Sequence, residues 1–251
     1  MISAMQQPFW PDRRYADIAP VRNRKLLERL IAAQPPFQAL SRQDIAAVVS
    51  HSQVVEVRRG AAIARRGERM AGVIVLGSGA AKLSLRRSNG EESVLRLMGP
   101  GEIFGLAATV LDRPCPADVL ALEPSLAAIV PPMPVHKLME THAAFARGVA
   151  HALAGRLLEL VAELESSVQH SSAQRLACYL LSIASAAGNG HPDLSRLPAT
   201  KTTVAARLGV KKETLSRLLH TFIEHRLIAV QGRDIALLDR PGLAQVAERG
   251  F

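Results

Sequence analysis

From Phe145 to about Gln169 the chain reads as one long helix whose apolar residues fall into heptads. Ala146, Leu153 and Leu160 occupy one seam position, and Ala150, Leu157 and Leu164 occupy the other. A seam this narrow is the pattern of a coiled coil, whose apolar stripe is buried by a facing helix. The competing reading is a helix packed on its own domain. We expect the coiled coil, and therefore a homodimer. The seam fades at Ser167, and His170-Ser171-Ser172 reads as a hinge before a further helix from Ala173 to about Ala187. With 251 residues, the chain exceeds one average domain and suggests two.

Upstream, residues 1–22 mix Pro, Arg and Asp without periodicity and read as a flexible tail. Lys25 to Ala33 reads as a helix. Ser41 is placed to N-cap the next one, with Asp44 three residues on. From Val54 to about Val130, short β-branched or apolar runs alternate with glycine-containing turns: VVEV (54–57), GVIVL (72–76), AKLSLR (81–86), SVLRLM (93–98) and SLAAIV (125–130). Asn89-Gly90 between two such runs is a hairpin signal, and strands at this spacing predict a sandwich or barrel-like roll. Gly77 and Gly79 match the first two glycines of a dinucleotide-binding fingerprint. Lys82 stands at the third position and the following run is strand-like, so these are read as hairpin glycines.

Charge separates the segments. From Ser171 to the C-terminus there are 11 Lys and Arg against 6 Asp and Glu, whereas residues 61–170 carry 11 of each. The net charge is +9. A neutral middle with basic flanks suits a polyanionic partner at one end. Cys115 and Cys178 give neither a disulfide framework nor a paired zinc motif, and no metal site is assigned. No apolar run reaches the roughly 20 residues that cross a bilayer, and no signal-type stretch opens the chain. The expectation is a cytoplasmic protein without membrane partners. Metalloprotease, nucleophile-elbow and P-loop motifs are all absent, so the chain is not expected to be an enzyme.

Residues 201–220, KTTVAARLGVKKETLSRLLH, meet the packing demands of a helix-turn-helix. Ala205 is the small residue where two helices cross, and Gly209 supplies the positive φ of the turn. Val204, Leu208, Val210, Leu215 and Leu218 are spaced to bury the helices against each other. The second helix is two-sided. Glu213, Ser216, Arg217 and His220 form a polar face; Leu215, Leu218, Leu219, Phe222 and Ile223 form the apolar one. Arg can pair with guanine O6 and N7, and Glu can accept from cytosine N4. Glu213, Ser216 and Arg217 are the candidate base contacts. Lys201, Thr203, Lys211, Lys212, His220 and Arg233 are candidate backbone or secondary contacts, which position without specifying. After the second helix, LIAVQGRDIALLD reads as a β-hairpin wing turning at Gln231-Gly232-Arg233.

This order resembles the cyclic AMP receptor protein / FNR superfamily of regulators, over about residue 24 to the end. Glu213-Thr214-Leu215-Ser216-Arg217 is similar to the E-x-x-S-R motif of the FNR branch, and GSGAAKL (77–83) and GPGEIFG (99–105) look like family signatures. The resemblance implies an α+β chain with a cyclic-nucleotide-binding-like jelly-roll sensor (23–142), a dimerisation helix (143–170) and a winged helix-turn-helix (171–251). It implies double-stranded DNA with TTGAT half-sites, RNA polymerase and a second copy of the chain as partners. No cysteine precedes Cys115, so the iron–sulfur cluster of FNR is not expected. Gly101-Glu102 matches the Gly-Glu of the phosphate-binding cassette. Cys115-Pro116 stands where cyclic-nucleotide binders carry Arg-Ser, which removes the charge-assisted phosphate contact and disfavours cyclic AMP. Arg113 lies two positions away. Gly101, Glu102, Arg113 and Cys115 are therefore the candidate effector residues. The pattern is most like the Dnr-type subgroup, which responds to nitric oxide through haem. By that analogy haem is the candidate cofactor, with Cys115-Pro116 resembling a haem-thiolate motif. His136, His142, His151 and His170 read as surface or interface histidines before ligands. Lys211 replaces the Ser or Thr that often precedes the recognition helix, so side-chain capping is not expected there.

Overall fold

The structure, a computed structural model, describes residues 18–21, 23–86, 88, 90–186 and 194–250. The chain forms two compact units, Met1–Leu85 with Arg96–Leu157, and Arg86–Leu95 with Leu158–Phe251. The division falls inside the long helix rather than at either of its ends.

The N-terminal unit begins with β1 (Ile18–Val21), which pairs antiparallel with β2 (Gln53–Val57). These four residues lie within the stretch expected to be a tail. Backbone pairing with β2, which IAPV does not signal, makes them a strand. Helix α1 (Arg24–Ala32) is capped by Asn23, and α2 (Arg42–His51) by Ser41. The Ser41 hydroxyl accepts from the Asp44 amide at 3.2 Å and donates to its carboxylate at 2.6 Å. That bond holds the Asp44 carboxyl below its ordinary pKa. Next come β3 (Ala62–Ala64), β4 (Val73–Ser78), β5 (Ala81–Arg86), β6 (Glu92–Met98), β7 (Ile103–Phe104), α3 (Leu106–Val110), β8 (Asp118–Ala121), β9 (Ser125–Val130) and α4 (Pro132–Thr141).

The strands form two sheets, ordered β1-β2-β9-β4-β7 and β3-β8-β5-β6. Alternation along β4 explains how the layers stack. Ile74 and Leu76 join Val55, Ile63, Val119 and Ile129 in an apolar core. Val73 and Val75 point the other way and join Leu27, Ile31, Val48 and Val135 from the helices. The larger sheet is thus buried on both faces, which is why GVIVL reads as a continuous apolar run. Gly79 turns β4 into β5 at φ +85°, and a Cβ there would collide with Ser125 Oγ and the Pro124 carbonyl. The glycines that imitate a nucleotide loop are not hairpin glycines as expected: Gly77 lies within β4, and Gly79 carries the chain from the larger sheet into β5 of the smaller one. Asn89, the first residue of the other expected turn, lies outside the described residues; Gly90 has φ +85°.

Helix α5 (Ala143–Gln169) changes environment along its length. Phe145 and Val149 are fully buried, and the Phe145 ring meets Phe37 edge-on at a centroid distance of 5.1 Å. Gly148 lets the helix press on the turn at Pro35–Phe37, where a Cβ would come within 2.9 Å of Pro36 Cα. Ala152 and Leu153 pack partly on the same core. Beyond them the apolar side chains are uncovered: Leu157 is 62% exposed, Leu158 71%, Val161 55% and Leu164 64%. The expected seam is therefore split. Ala150, Leu157, Leu160 and Leu164 are exposed, while Ala146 is half-buried and Leu153 packs partly on the core of the N-terminal unit. The uncovered stripe includes Ala154, Leu158 and Val161, which the seam reading omits.

In the C-terminal unit, α6 (Ser172–Ala186) follows His170-Ser171. Then come β10 (Leu194–Arg196), α7 (Lys201–Arg207), α8 (Lys212–Glu224), β11 (Ile228–Gln231), β12 (Asp234–Leu237) and α9 (Arg240–Arg249). The strands form one sheet, β10-β12-β11. The loop expected over 188–192 lies outside the described residues. Arg175 ties the start of α6 to its surroundings, donating to the His170 carbonyl at 2.7 Å and the Leu208 carbonyl at 3.2 Å. Among the described residues no helix is long and apolar enough to cross a membrane.

Candidate nucleic-acid interface

Helices α7 and α8 are joined by Leu208–Lys211, with Gly209 at φ +66° as the turn requires. The Val210 amide donates to the Ala205 carbonyl at 3.0 Å, which closes the turn onto the first helix. Ala205 is buried at the crossing beside Val204, and Leu215, Leu219 and Phe222 anchor α8 from below. Thr200 caps α7, accepting from the Thr203 amide at 3.3 Å, and the two hydroxyls lie 3.0 Å apart. Thr203 is thus half-buried in the cap. The Thr-x-x-Thr spacing is the signal that could have found this cap. At α8, Lys211 is the N-cap residue and gives no side-chain bond, as its chemistry demands. Glu213 in the first turn instead faces the positive helix end.

The polar face of α8 is presented as expected. Glu213, Ser216, Arg217 and His220 are all exposed, as are Lys211 and Lys212 at its start; Lys201 is half-buried. His220 lies 3.3 Å from Glu224. Two assignments change. Ile223, counted with the buried face, is 41% exposed, although its neighbour Phe222 is fully buried. Arg233, expected at phosphate, spends its guanidinium inside the unit. Nε and Nη2 both donate to the Leu197 carbonyl, at 3.1 and 2.8 Å, and the Leu197 amide returns a bond to the Arg233 carbonyl at 2.8 Å. It fastens the wing to the segment entering α7. Arg175, whose importance sequence reasoning missed, fastens the other side. Arg207 pairs with Glu163 of α5 at 3.0 Å.

The four effector candidates of the N-terminal unit have different surroundings. Gly101, at φ +84°, donates its amide to the Leu76 carbonyl at 2.6 Å and accepts from Gln34 Nε2 at 3.2 Å. The Glu102 carboxylate is occupied by the Arg96 guanidinium and by the Gly99 amide, the latter at 2.5 Å. It closes its own turn rather than facing a ligand. Arg113 is exposed. Cys115 is buried among Ile63, Met98 and Val119, and its Sγ donates to the Ala117 carbonyl at 3.0 Å. Burial pushes this thiol above its ordinary pKa. A protonated thiol in an apolar core does not fit a haem-thiolate ligand, which must be an accessible thiolate. The histidines named beside it are differently engaged: His142 lies 3.4 Å from Asp44, and His170 Nδ1 is 3.1 Å from Ser166 Oγ. Among the described residues, no three His, Cys, Asp or Glu side chains are grouped to hold a metal.

The Arg233 geometry yields a first expectation. Arg233→Ala leaves the Leu197 carbonyl without its donors and should destabilise the protein by about 1–3 kcal/mol. Thermal unfolding checks this; an unchanged melting temperature together with weakened DNA binding would return Arg233 to the phosphate-contact role.

Comparison with known proteins agrees with this geometry. Residues 54–142 match the cyclic nucleotide-binding domain family, and residues 174–246 match the Crp-like helix-turn-helix domain. The chain is 23% identical over 223 residues to the CRP-like cAMP-activated global transcriptional regulator of Mycobacterium tuberculosis, covering 88% of this chain and all of the relative. It is 22% identical to the transcriptional activator protein FnrA of Stutzerimonas stutzeri over 76% of this chain and 79% of that one. The fold is similar to that of FixK2 from Bradyrhizobium japonicum, with a TM-score of 0.72 at 20% identity, over 77% of this chain and 96% of FixK2. A nucleotide-binding-type sandwich followed by a helical region and a Crp-like reading head, matched along nearly the whole of a relative, gives the conclusion: this chain belongs to the CRP/FNR family of DNA-binding transcription regulators.

Proposed function

We propose that the chain is a sequence-specific, homodimeric transcription regulator that reads a palindrome of FNR-box type, with inverted TTGAT half-sites about one helical turn apart. The observation that carries this reading is the face of α8. Glu213, Ser216, Arg217 and His220 are exposed together, while Leu215, Leu219 and Phe222 hold the same helix on its scaffold. Arg217 is assigned to guanine, Glu213 to the cytosine paired with it or to an adjacent base, and Ser216 to a lesser contact. Lys201, Lys211 and Lys212 are assigned to phosphates, with Thr203 and His220 at the margin. Bound DNA places the regulator beside RNA polymerase, the partner through which it acts on transcription.

Two-fold recognition needs two chains, and the uncovered stripe of α5 supports the pairing. Apolar side chains at 150, 154, 157, 161 and 164 follow the heptad spacing of a two-helix seam.

For the sensor unit we propose control by an effector other than cyclic AMP. Cys115 and Pro116 offer no guanidinium for a cyclic phosphate, and Glu102 is already paired with Arg96. A cyclic-nucleotide-responsive regulator is the second reading, favoured by the match over 54–142 and by a relative described as cAMP-activated. Calorimetry with cyclic AMP separates them: saturable binding supports the second reading and overturns the first. Haem-dependent nitric oxide sensing would need a ligand other than the buried Cys115 thiol.

Two expectations follow from this reading. Leu157→Glu places a charge in both halves of a symmetric seam and should dissociate the dimer, each lost Leu contact being worth roughly 1.5–3 kcal/mol by area. Sedimentation at micromolar concentration checks it; a dimer as tight as wild type would mean that the chains pair elsewhere. Arg217→Ala should cost about 1–3 kcal/mol per half-site and relax the preference at one G·C pair. Binding to a panel of single-base operator variants checks that. Equal weakening on every variant, with the preference intact, would make Arg217 a phosphate contact.

A further inference from the structure

Helix α5 passes into α6 through only His170 and Ser171. Each residue contributes two soft backbone dihedrals, so the backbone alone leaves the direction of α6, and of everything after it, unfixed. Side chains supply the missing constraint.

Two ties meet at the C-terminal end of α7. Arg207, in its last turn, pairs with Glu163 of α5 at 3.0 Å. The two side chains are 27% and 33% exposed, sheltered enough that salt screens the pair less than one at the open surface. One residue on, the Leu208 carbonyl accepts from Arg175 Nε at 3.2 Å, and Nη1 of the same guanidinium donates to the His170 carbonyl at 2.7 Å. His170 follows the last residue of α5, and Leu208 is the C-cap of α7. One planar cation thus bridges the negative ends of two helices.

What is fixed at this point is passed on to α8. The bond from the Val210 amide to the Ala205 carbonyl closes the turn, and the buried Ala205 lets α7 and α8 cross closely. Lys211, the N-cap of α8, is only three residues beyond Leu208. On α5, Glu163 stands about 160° round the helix from Val161. The pair therefore grips α5 on the side away from the uncovered apolar stripe.

We propose that the Glu163–Arg207 pair holds the reading head in register with α5, and so sets the half-site spacing that the protein accepts. The proposal rests on the two-fold reading given above. Adding one base pair between half-sites moves one of them by about 3.4 Å and turns it by about 35° round the duplex. A head fixed to α5 does not follow that displacement; a head hinged at His170-Ser171 alone does. Glu163 and Arg207 are positioning residues, which act on spacing and not on base identity.

The test measures binding of the full chain to duplexes with the same inverted half-sites, their separation varied one base pair at a time around one helical turn. Wild type should show a sharp optimum. Glu163→Gln and Arg207→Gln should each reduce the preference for that optimum over its neighbours by about tenfold. Glu163→Arg combined with Arg207→Glu should recover part of it. Preferences within the half-site, read on single-base variants at the best separation, should keep their wild-type ratios. Spacing profiles as sharp as wild type in both glutamine variants would overturn the proposal, as would a reversed pair no better than either reversal alone. So would a joint fall of spacing and base preferences, which means that the pair only stabilises the fold. Equal weakening at every separation would also overturn it, by making Arg207 a phosphate contact. A wild-type chain without an optimum would instead contradict the two-fold reading itself, and the proposal with it.

Discussion

The rest of the molecule depends on a change of face within one helix. The first turns of α5 are held by Phe145 and Val149 in the helical side of the N-terminal core, with Phe37 edge-on against Phe145. About two to four turns further on, the same helix shows water Leu157, Leu158, Val161 and Leu164. Contiguous exposed apolar surface of this kind is typical of association sites. The proposed dimer answers it with a second copy of the same stripe. A symmetric pair of helices then implies a symmetric pair of α8 helices, and a two-fold protein matches an inverted repeat in DNA.

The C-terminal unit divides its polar residues between holding the scaffold and facing outward. Thr200 closes the N-terminus of α7, Arg175 secures the hinge and the Leu208 carbonyl, and Arg233 secures the wing through Leu197. Each satisfies backbone groups that would otherwise be unpaired at a helix end or loop. What remains exposed on α8 is a carboxylate, a hydroxyl, a guanidinium and an imidazole on one face. Preorganisation of this sort lets a few side chains discriminate base edges without first ordering the helix that carries them.

Much of this was legible in the residues. The i, i+3, i+4, i+7 spacing of Glu213, Ser216, Arg217 and His220, with Gly209 before it, located the reading head because helix period and positive φ are local properties. The turn at Gly79 was legible for the same reason, but its pairing was not, because β4 and β5 belong to different sheets. Roles set by distant partners were not. Arg233 looks like any exposed cation until the Leu197 carbonyl is placed beside it. Glu102 looks like a ligand until Arg96 and the Gly99 amide close on it, and Cys115 like a metal ligand until Ile63, Met98 and Val119 surround it. Leu153 fits the heptad, yet the core formed by residues far away in sequence claims it. Strands β1, β3 and β7 are two to four residues long, too short for a period-2 pattern to show.

The central claim is that two copies of α8, held two-fold by α5, read DNA sequence. Selection of the full chain on random-sequence duplexes, followed by sequencing of the retained pool, tests it most directly. The account predicts enrichment of an inverted repeat whose half-sites lie about one helical turn apart and contain an invariant G·C pair. Enrichment of a single asymmetric site, or retention governed by salt alone with no sequence preference, would contradict it.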